Sequence, residues 1–70
     1  MLTLKLIHLA GGRANILECG SVEVEPGEGL IKKVRAQTLG GPREFSVGPG
    51  QEFGVAYVEN AAGATTQVIK

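Results

Sequence analysis

Apolar and polar residues alternate along much of this chain, and a period of two is typical of half-buried β-strands. In Glu44–Val58, Phe45 and Val47 alternate with polar neighbours before a Gly-Pro-Gly-Gln sequence. Proline and then glycine at the two central positions favour a type II turn. The stretch therefore predicts a central hairpin, in which both strands contribute to the core. Its second strand places three apolar side chains at every second position: Phe53, Val55 and Tyr57.

The same arrangement occurs earlier in the chain. Val24–Glu28 repeats the pattern of Val47–Gln51, with proline and glycine at equivalent positions. A Pro-Gly turn between two alternating runs indicates a hairpin. The sequence thus predicts two similar hairpins that contribute to one small barrel or sandwich.

Leu2–Leu9 begins as an alternating strand, but the alternation fails at its end. Ile7 and Leu9 fall on the side that carries Thr3 and Lys5. Either the strand is buried on both faces, or Ile7 and Leu9 form a surface for self-association or for a partner, because exposed apolar groups near a strand edge favour association.

The remaining alternating segments complete an all-β prediction. Ala14–Cys19 follows a Gly-Gly break, and Ala64–Ile69 is expected to pair back on Phe53–Glu59 across a short turn. Residues 1–70 are expected to form a single small β domain, a barrel or sandwich of about six short antiparallel strands joined by Pro-Gly hairpin turns.

Leu30–Leu39 is the one segment that also fits a helix. As a helix, Leu30, Ile31 and Val34 form an apolar stripe, and the following Gly-Gly would end it. That alternative makes the fold α+β, with one helix near residues 30–39. The strand interpretation is preferred, because the repeat of the hairpin pattern places this segment opposite the strand that contains Phe53.

The length, net charge and single cysteine of the chain limit the classes of function that we expect. The chain has 70 residues, a formal net charge of zero and one cysteine. A core of this size supplies only about 3–5 kcal/mol without additional support, and no intramolecular disulfide can provide it. We therefore expect a homo-oligomer.

The apolar run at the N-terminus is too short to span a bilayer, so we expect no membrane partner and a cytoplasmic protein.

Residues suited to catalysis or metal binding are scarce. His8 and Cys19 are the only histidine and cysteine, the chain has no aspartate, and no ligand spacing typical of a metal site is present. A nucleophilic Cys-His pair needs the two side chains within hydrogen-bond reach, which the predicted strands do not provide. We expect no enzyme activity and no cofactor.

The sequence leaves two functions open. The preferred one is a non-enzymatic β module that acts by self-association and protein-protein binding, as an accessory, regulatory or structural subunit. The alternative is a small nucleic-acid-binding β-barrel, because basic strand faces can follow a single-stranded backbone. Its candidate residues lie in the first strand, in Leu30–Leu39 and just after the following Gly-Gly turn: Lys5, Lys32, Lys33, Arg35 and Arg43.

Overall fold

Seven β-strands account for the regular structure of the protein, and the chain forms no helix. The computed structural model describes all residues, 1–70. The strands are β1 (Leu2–His8), β2 (Ala14–Cys19), β3 (Ser21–Pro26), β4 (Lys32–Thr38), β5 (Gly41–Val47), β6 (Phe53–Glu59) and β7 (Thr65–Ile69). The all-β prediction is confirmed, with seven strands instead of about six.

The strands pair in the order β2-β1-β6-β5-β4-β3, and β7 also pairs with β6. Every long ladder is antiparallel, but β5 and β6 share only one residue pair, Val47 with Phe53, and that pair is parallel. The sheet therefore consists of two halves, β2-β1-β6-β7 and β5-β4-β3. Its end strands β2 and β3 do not pair with each other, so the sheet is not a closed barrel.

Both halves contribute to one small apolar core. In β1 and β4 the buried side chains alternate with more exposed ones, as expected for strands with one face toward a core. No polar or charged side chain is buried. The ten buried side chains are Leu4, Leu6, Cys19, Val34, Ala36, Val47, Phe53, Ala56, Val58 and Ile69.

The predicted central hairpin is wrong, although its turn is present. The N–H of Gln51 donates to the carbonyl of Gly48 at 3.2 Å, and Gly50 has a positive φ of 76°, as a type II turn at Pro49 requires. However, β5 pairs along its length with β4, and β6 pairs with β1 and β7. A strand has only two edges. β1 pairs along one edge of β6 and β7 along most of the other, so β5 can pair with β6 only at Phe53.

The segment 30–39 forms strand β4, so the helical alternative is wrong. β4 pairs with β3 through the earlier Pro-Gly turn, as predicted, and the N–H of Gly27 donates to the carbonyl of Ile31 at 2.8 Å. The expected position of this segment opposite the Phe53 strand is also wrong. β4 lies between β3 and β5, because two tight turns bring its nearest neighbours in the chain against both of its edges.

A β-bulge at Gly54 changes which side chains of β6 face the core. Ile7 pairs with Val55, but the next residue, His8, pairs with Phe53, so Gly54 is an extra residue in β6. Beyond the bulge, the buried residues of β6 are Ala56 and Val58. The prediction that Val55 and Tyr57 share the buried face of Phe53 is therefore wrong; both are half-buried on the opposite face.

The burial of the leucines predicts how their substitution changes the free energy of unfolding. Leu4 is fully buried, whereas Leu39 is 98% exposed. Leu4→Ala should lower the free energy of unfolding by about 2–5 kcal/mol, because it leaves a cavity among packed side chains. Leu39→Ala should change it by less than about 0.5 kcal/mol. Urea denaturation followed by circular dichroism measures both, and equal losses would contradict this assignment of the core.

Candidate functional site

The outer face of the β2-β1-β6-β7 half carries an apolar surface. The pairing places Ile16 beside Lys5, Lys5 beside Tyr57, and Tyr57 beside Val68 across four strands. Ile16 is 65% exposed and Val68 is 48% exposed. We call the five apolar side chains on this side of the sheet the outer apolar face: Ile7, Ile16, Val55, Tyr57 and Val68.

The outer apolar face contains a compensated charge. The Nζ atom of Lys5 lies 3.0 Å from Oε2 of Glu59, on the neighbouring strand β6. The only basic side chain between Ile16 and Tyr57 thus has a carboxylate partner. A partner surface that covers Lys5 would therefore cover a paired charge and not an isolated one.

Strand β2 is the least protected edge of the structure. It pairs only with β1, in a regular ladder without a bulge, and it carries one charge, Glu18. Each other outer strand has a feature that hinders pairing with another chain. β3 carries Glu23, Glu25 and Pro26, and β5 carries Pro42. β7 contains an extra residue, Thr66, opposite the Val58–Glu59 step of β6.

A second surface lies at the end of the molecule where β1, β5 and β7 end and β4 begins. There an open groove of about 490 Å³ has apolar walls and basic residues at its rim. Leu9 is 57% exposed and Leu30 is 74% exposed. We call this the end groove; its lining includes Leu9, Leu30, Lys32, Pro49, Gly54 and Lys70.

The structure separates the two surface residues that the sequence singled out. Ile7 is half-buried on the outer apolar face, opposite Val55. Leu9 lies beyond the end of β1, in the end groove, and its N–H donates to the carbonyl of Glu52 at 2.9 Å. Neither is a core residue, and each belongs to a different candidate surface.

The five basic residues of the nucleic-acid alternative do not form one patch. Lys5 lies on the outer apolar face and Lys32 in the end groove, while the side chain of Arg43 lies over the ring of Phe45, 5.6 Å from its centroid. On β4, Lys33 and Arg35 share the face opposite to Lys32, since residues alternate along a strand. Nucleic-acid binding stays a prediction, and it would require contacts from basic side chains that lie on separate surfaces of the protein.

Arg35 is already engaged within the β5-β4-β3 half. Its guanidinium donates to Oε2 of Glu44 at 3.1 Å and lies 3.8 Å from Oε1 of Glu25. The hydrogen bond to Glu44, with the charge of Glu25, raises the pKa of Arg35. These two carboxylates would compete with a phosphate for the same guanidinium.

His8 lies in a polar cluster near the start of β6. Its Nε2–H donates to Oδ1 of Asn15 at 3.0 Å, and its Nδ1 lies 3.8 Å from Oε2 of Glu52. The ring also packs on Phe53, with centroids 4.9 Å apart. Cys19 is at the opposite end of the β1-β2 ladder, where it pairs with Leu2. His8 and Cys19 therefore do not share a cleft, and the cluster around His8 contains no thiol or hydroxyl nucleophile.

Comparison of the chain with protein-family models, curated proteins and solved structures finds no match. The structure also contains no group of three or more histidine, cysteine or acidic side chains placed to hold a metal ion. None of its segments is a helix with the length and apolarity needed to cross a bilayer. The candidate surfaces of the protein are the outer apolar face, the β2 edge and the end groove.

Most of the outer apolar face was missed by pattern reasoning. Val55 and Tyr57 were assigned to the core because the alternation was continued through Gly54 without a bulge. A glycine inside an alternating strand is a known signal for a bulge. Ile16 and Val68 carried no such signal, because their outward orientation depends on the strands with which they pair.

The buried thiol gives a pH-dependent prediction. Burial raises the pKa of Cys19, so the thiol stays protonated and unreactive in the folded protein. A pKa that is higher in the folded than in the unfolded state stabilises the protein below the unfolded value, and this contribution is lost as pH rises above about 8.5.

We therefore expect Cys19 to react with Ellman's reagent only when urea unfolds the chain, and the free energy of unfolding to decrease between pH 8 and 10. In Cys19→Ala, this part of the decrease should be absent. Rapid reaction of the native protein at pH 7 would contradict the buried placement.

Proposed function

We propose that this protein is a non-enzymatic β module that acts by self-association and by binding another protein, as an accessory, regulatory or structural subunit. The observation that carries the proposal is the unprotected edge of β2 beside the outer apolar face. An exposed strand without bulge or proline offers its backbone N–H and C=O groups to another strand. The lone, buried Cys19 agrees with a reducing cytoplasm as the place of action.

The proposed self-association joins the β2 edges of two copies in antiparallel orientation. A two-fold axis perpendicular to the sheet keeps the outer face of one copy continuous with that of the other. If the axis passes near Ile16, this side chain lies opposite its own copy, and Ala14 lies opposite Glu18. A shift by one residue would place inner side chains beside outer ones, while a two-residue shift would place Ile16 opposite Glu18 or Ala14.

This dimer would add buried apolar area to a protein whose own core is small. Each copy would bury part of the exposed Ile16 and extend its four-stranded half into a longer sheet. Burial of apolar area contributes about 25 cal/mol per Å², so even a modest contact adds noticeably to a core of ten side chains.

A charge at the β2 edge should prevent the association. Ile16→Lys places a charge of the same sign on both copies at the two-fold axis, so the dissociation constant should rise by at least about tenfold, or 1.4 kcal/mol. Leu39→Lys is the matched control, because Leu39 is exposed in the β4-β5 turn, away from β2. Size-exclusion chromatography with light scattering measures the mass of each variant.

The expected result is a dimer for the unmodified chain and for Leu39→Lys, at both low and high salt, and a monomer for Ile16→Lys. A monomeric unmodified chain at about 100 μM would refute self-association. A dimer that survives Ile16→Lys would show that the contact lies elsewhere.

The register can be tested separately by cross-linking. Directly opposite residues of antiparallel strands have Cβ atoms about 4.5–5.5 Å apart, close to disulfide geometry. Ile16→Cys should therefore form a covalent dimer under mild oxidation, visible on a non-reducing gel, whereas Leu39→Cys should not. Equal cross-linking of both variants would indicate random collision and refute the proposed register.

A further inference from the structure

The end groove differs in composition from the outer apolar face. Its walls are the exposed side chains of Leu9 and Leu30, with Pro49 beside them, and Lys32 and Lys70 lie at its rim. No acidic residue lines it. The groove therefore combines an apolar surface with positive charge, whereas the outer apolar face contains a neutralised ion pair.

Two glycines of the groove lie close to the segments that carry the leucines. A Cβ atom at Gly54 would lie 2.7 Å from Cδ1 of Leu9, so a side chain there would displace the tip of this leucine. Gly48 has a φ of 149°, and a Cβ there would lie 3.1 Å from Cα of Ile31 and 3.2 Å from the carbonyl oxygen of Leu30. Glycine at both positions thus lets the backbone of the groove pack closely.

One lysine of the groove has no carboxylate partner. Lys5 and Arg35 form ion pairs within the protein, but no ion pair involves Lys32. Its ammonium group beside the exposed leucines complements a ligand that places a carboxylate next to aliphatic groups. The groove is open and therefore better suited to a chain that lies across it than to an enclosed small molecule.

We propose that the end groove binds a short extended segment of a partner protein in which aliphatic and acidic residues alternate. The aliphatic side chains contact Leu9, Leu30 and Pro49, and a carboxylate pairs with Lys32. An extended chain directs successive side chains to opposite sides, so a segment that lies along the groove turns its aliphatic side chains toward the leucines and its carboxylates toward the rim at Lys32. This inference rests on the protein-binding part of the proposed function and is independent of self-association through β2.

The first test uses synthetic peptides as probes. A fluorescein-labelled pool of hexapeptides alternates Leu, Ile or Val with Asp or Glu. One matched pool replaces the acidic residues with Lys, and another replaces the aliphatic residues with Ser. Fluorescence anisotropy should show binding by the acidic-aliphatic pool at least about tenfold tighter than by either matched pool, and the binding should weaken with added salt.

Matched protein variants locate the binding. Leu30→Ser should weaken it at least about tenfold, while Leu39→Ser, which alters another exposed leucine in a turn, should leave it unchanged. Lys32→Glu should abolish binding, whereas Lys33→Glu makes the same charge change on the opposite face of β4 and should have little effect. Circular dichroism melting confirms that each variant is folded.

Several results would overturn the inference: no binding by the acidic-aliphatic pool at millimolar concentration, equal binding by the lysine pool, or binding that survives Lys32→Glu. Stronger binding of fluorescein-labelled oligothymidylate, lost in Lys32→Glu, would assign the groove to nucleic acid instead. Light scattering on the same samples separates the two proposals. Peptide binding by a monomer refutes only self-association, and a dimer that binds no peptide refutes only the groove.

Discussion

The pairing of β6 on both edges is the constraint on which the rest of the structure depends. β1 occupies one edge and β7 most of the other, so β5 reaches β6 only where Val47 meets Phe53. The sheet consequently divides into two halves that contribute to one core. That core has ten buried side chains and no buried polar group, and the outer apolar face of the β2-β1-β6-β7 half lies outside it.

One extra residue in β6 determines the character of the outer surface. The bulge at Gly54 moves Ala56 and Val58 into the core and turns Val55 and Tyr57 outward, beside Ile7 and Lys5. The same glycine lets Leu9 lie against the backbone at the start of the end groove. A single backbone irregularity therefore contributes to both candidate surfaces. This agrees with the frequent occurrence of bulges where a strand must redirect its side chains.

The two surfaces differ in the partner that they would accept. The β2 edge and the outer apolar face offer backbone hydrogen-bonding groups and apolar area with a compensated charge, which suits an identical copy. The end groove offers leucines beside the unpaired Lys32, which suits an acidic and aliphatic segment. The two proposed contacts use different residues, since β2 comprises Ala14–Cys19 and none of these lines the end groove.

The sequence alone determined much of the local structure. Alternation identified most of the strands, Pro-Gly pairs located both turns, and the failed alternation at Ile7 and Leu9 marked two residues that lie outside the core. These features depend on neighbouring residues and on the φ preferences of proline and glycine.

Only the tertiary structure decided which strands pair and which faces are buried. The same Pro-Gly turn gives a hairpin between β3 and β4 but not between β5 and β6, because β1, distant in the chain, takes one edge of β6 and the following strand β7 takes most of the other. The exposure of Ile16 and the meeting of Leu9 with Leu30 likewise depend on these long-range pairings. Local preference cannot encode them, since competition among all strands for a limited number of edges settles the outcome.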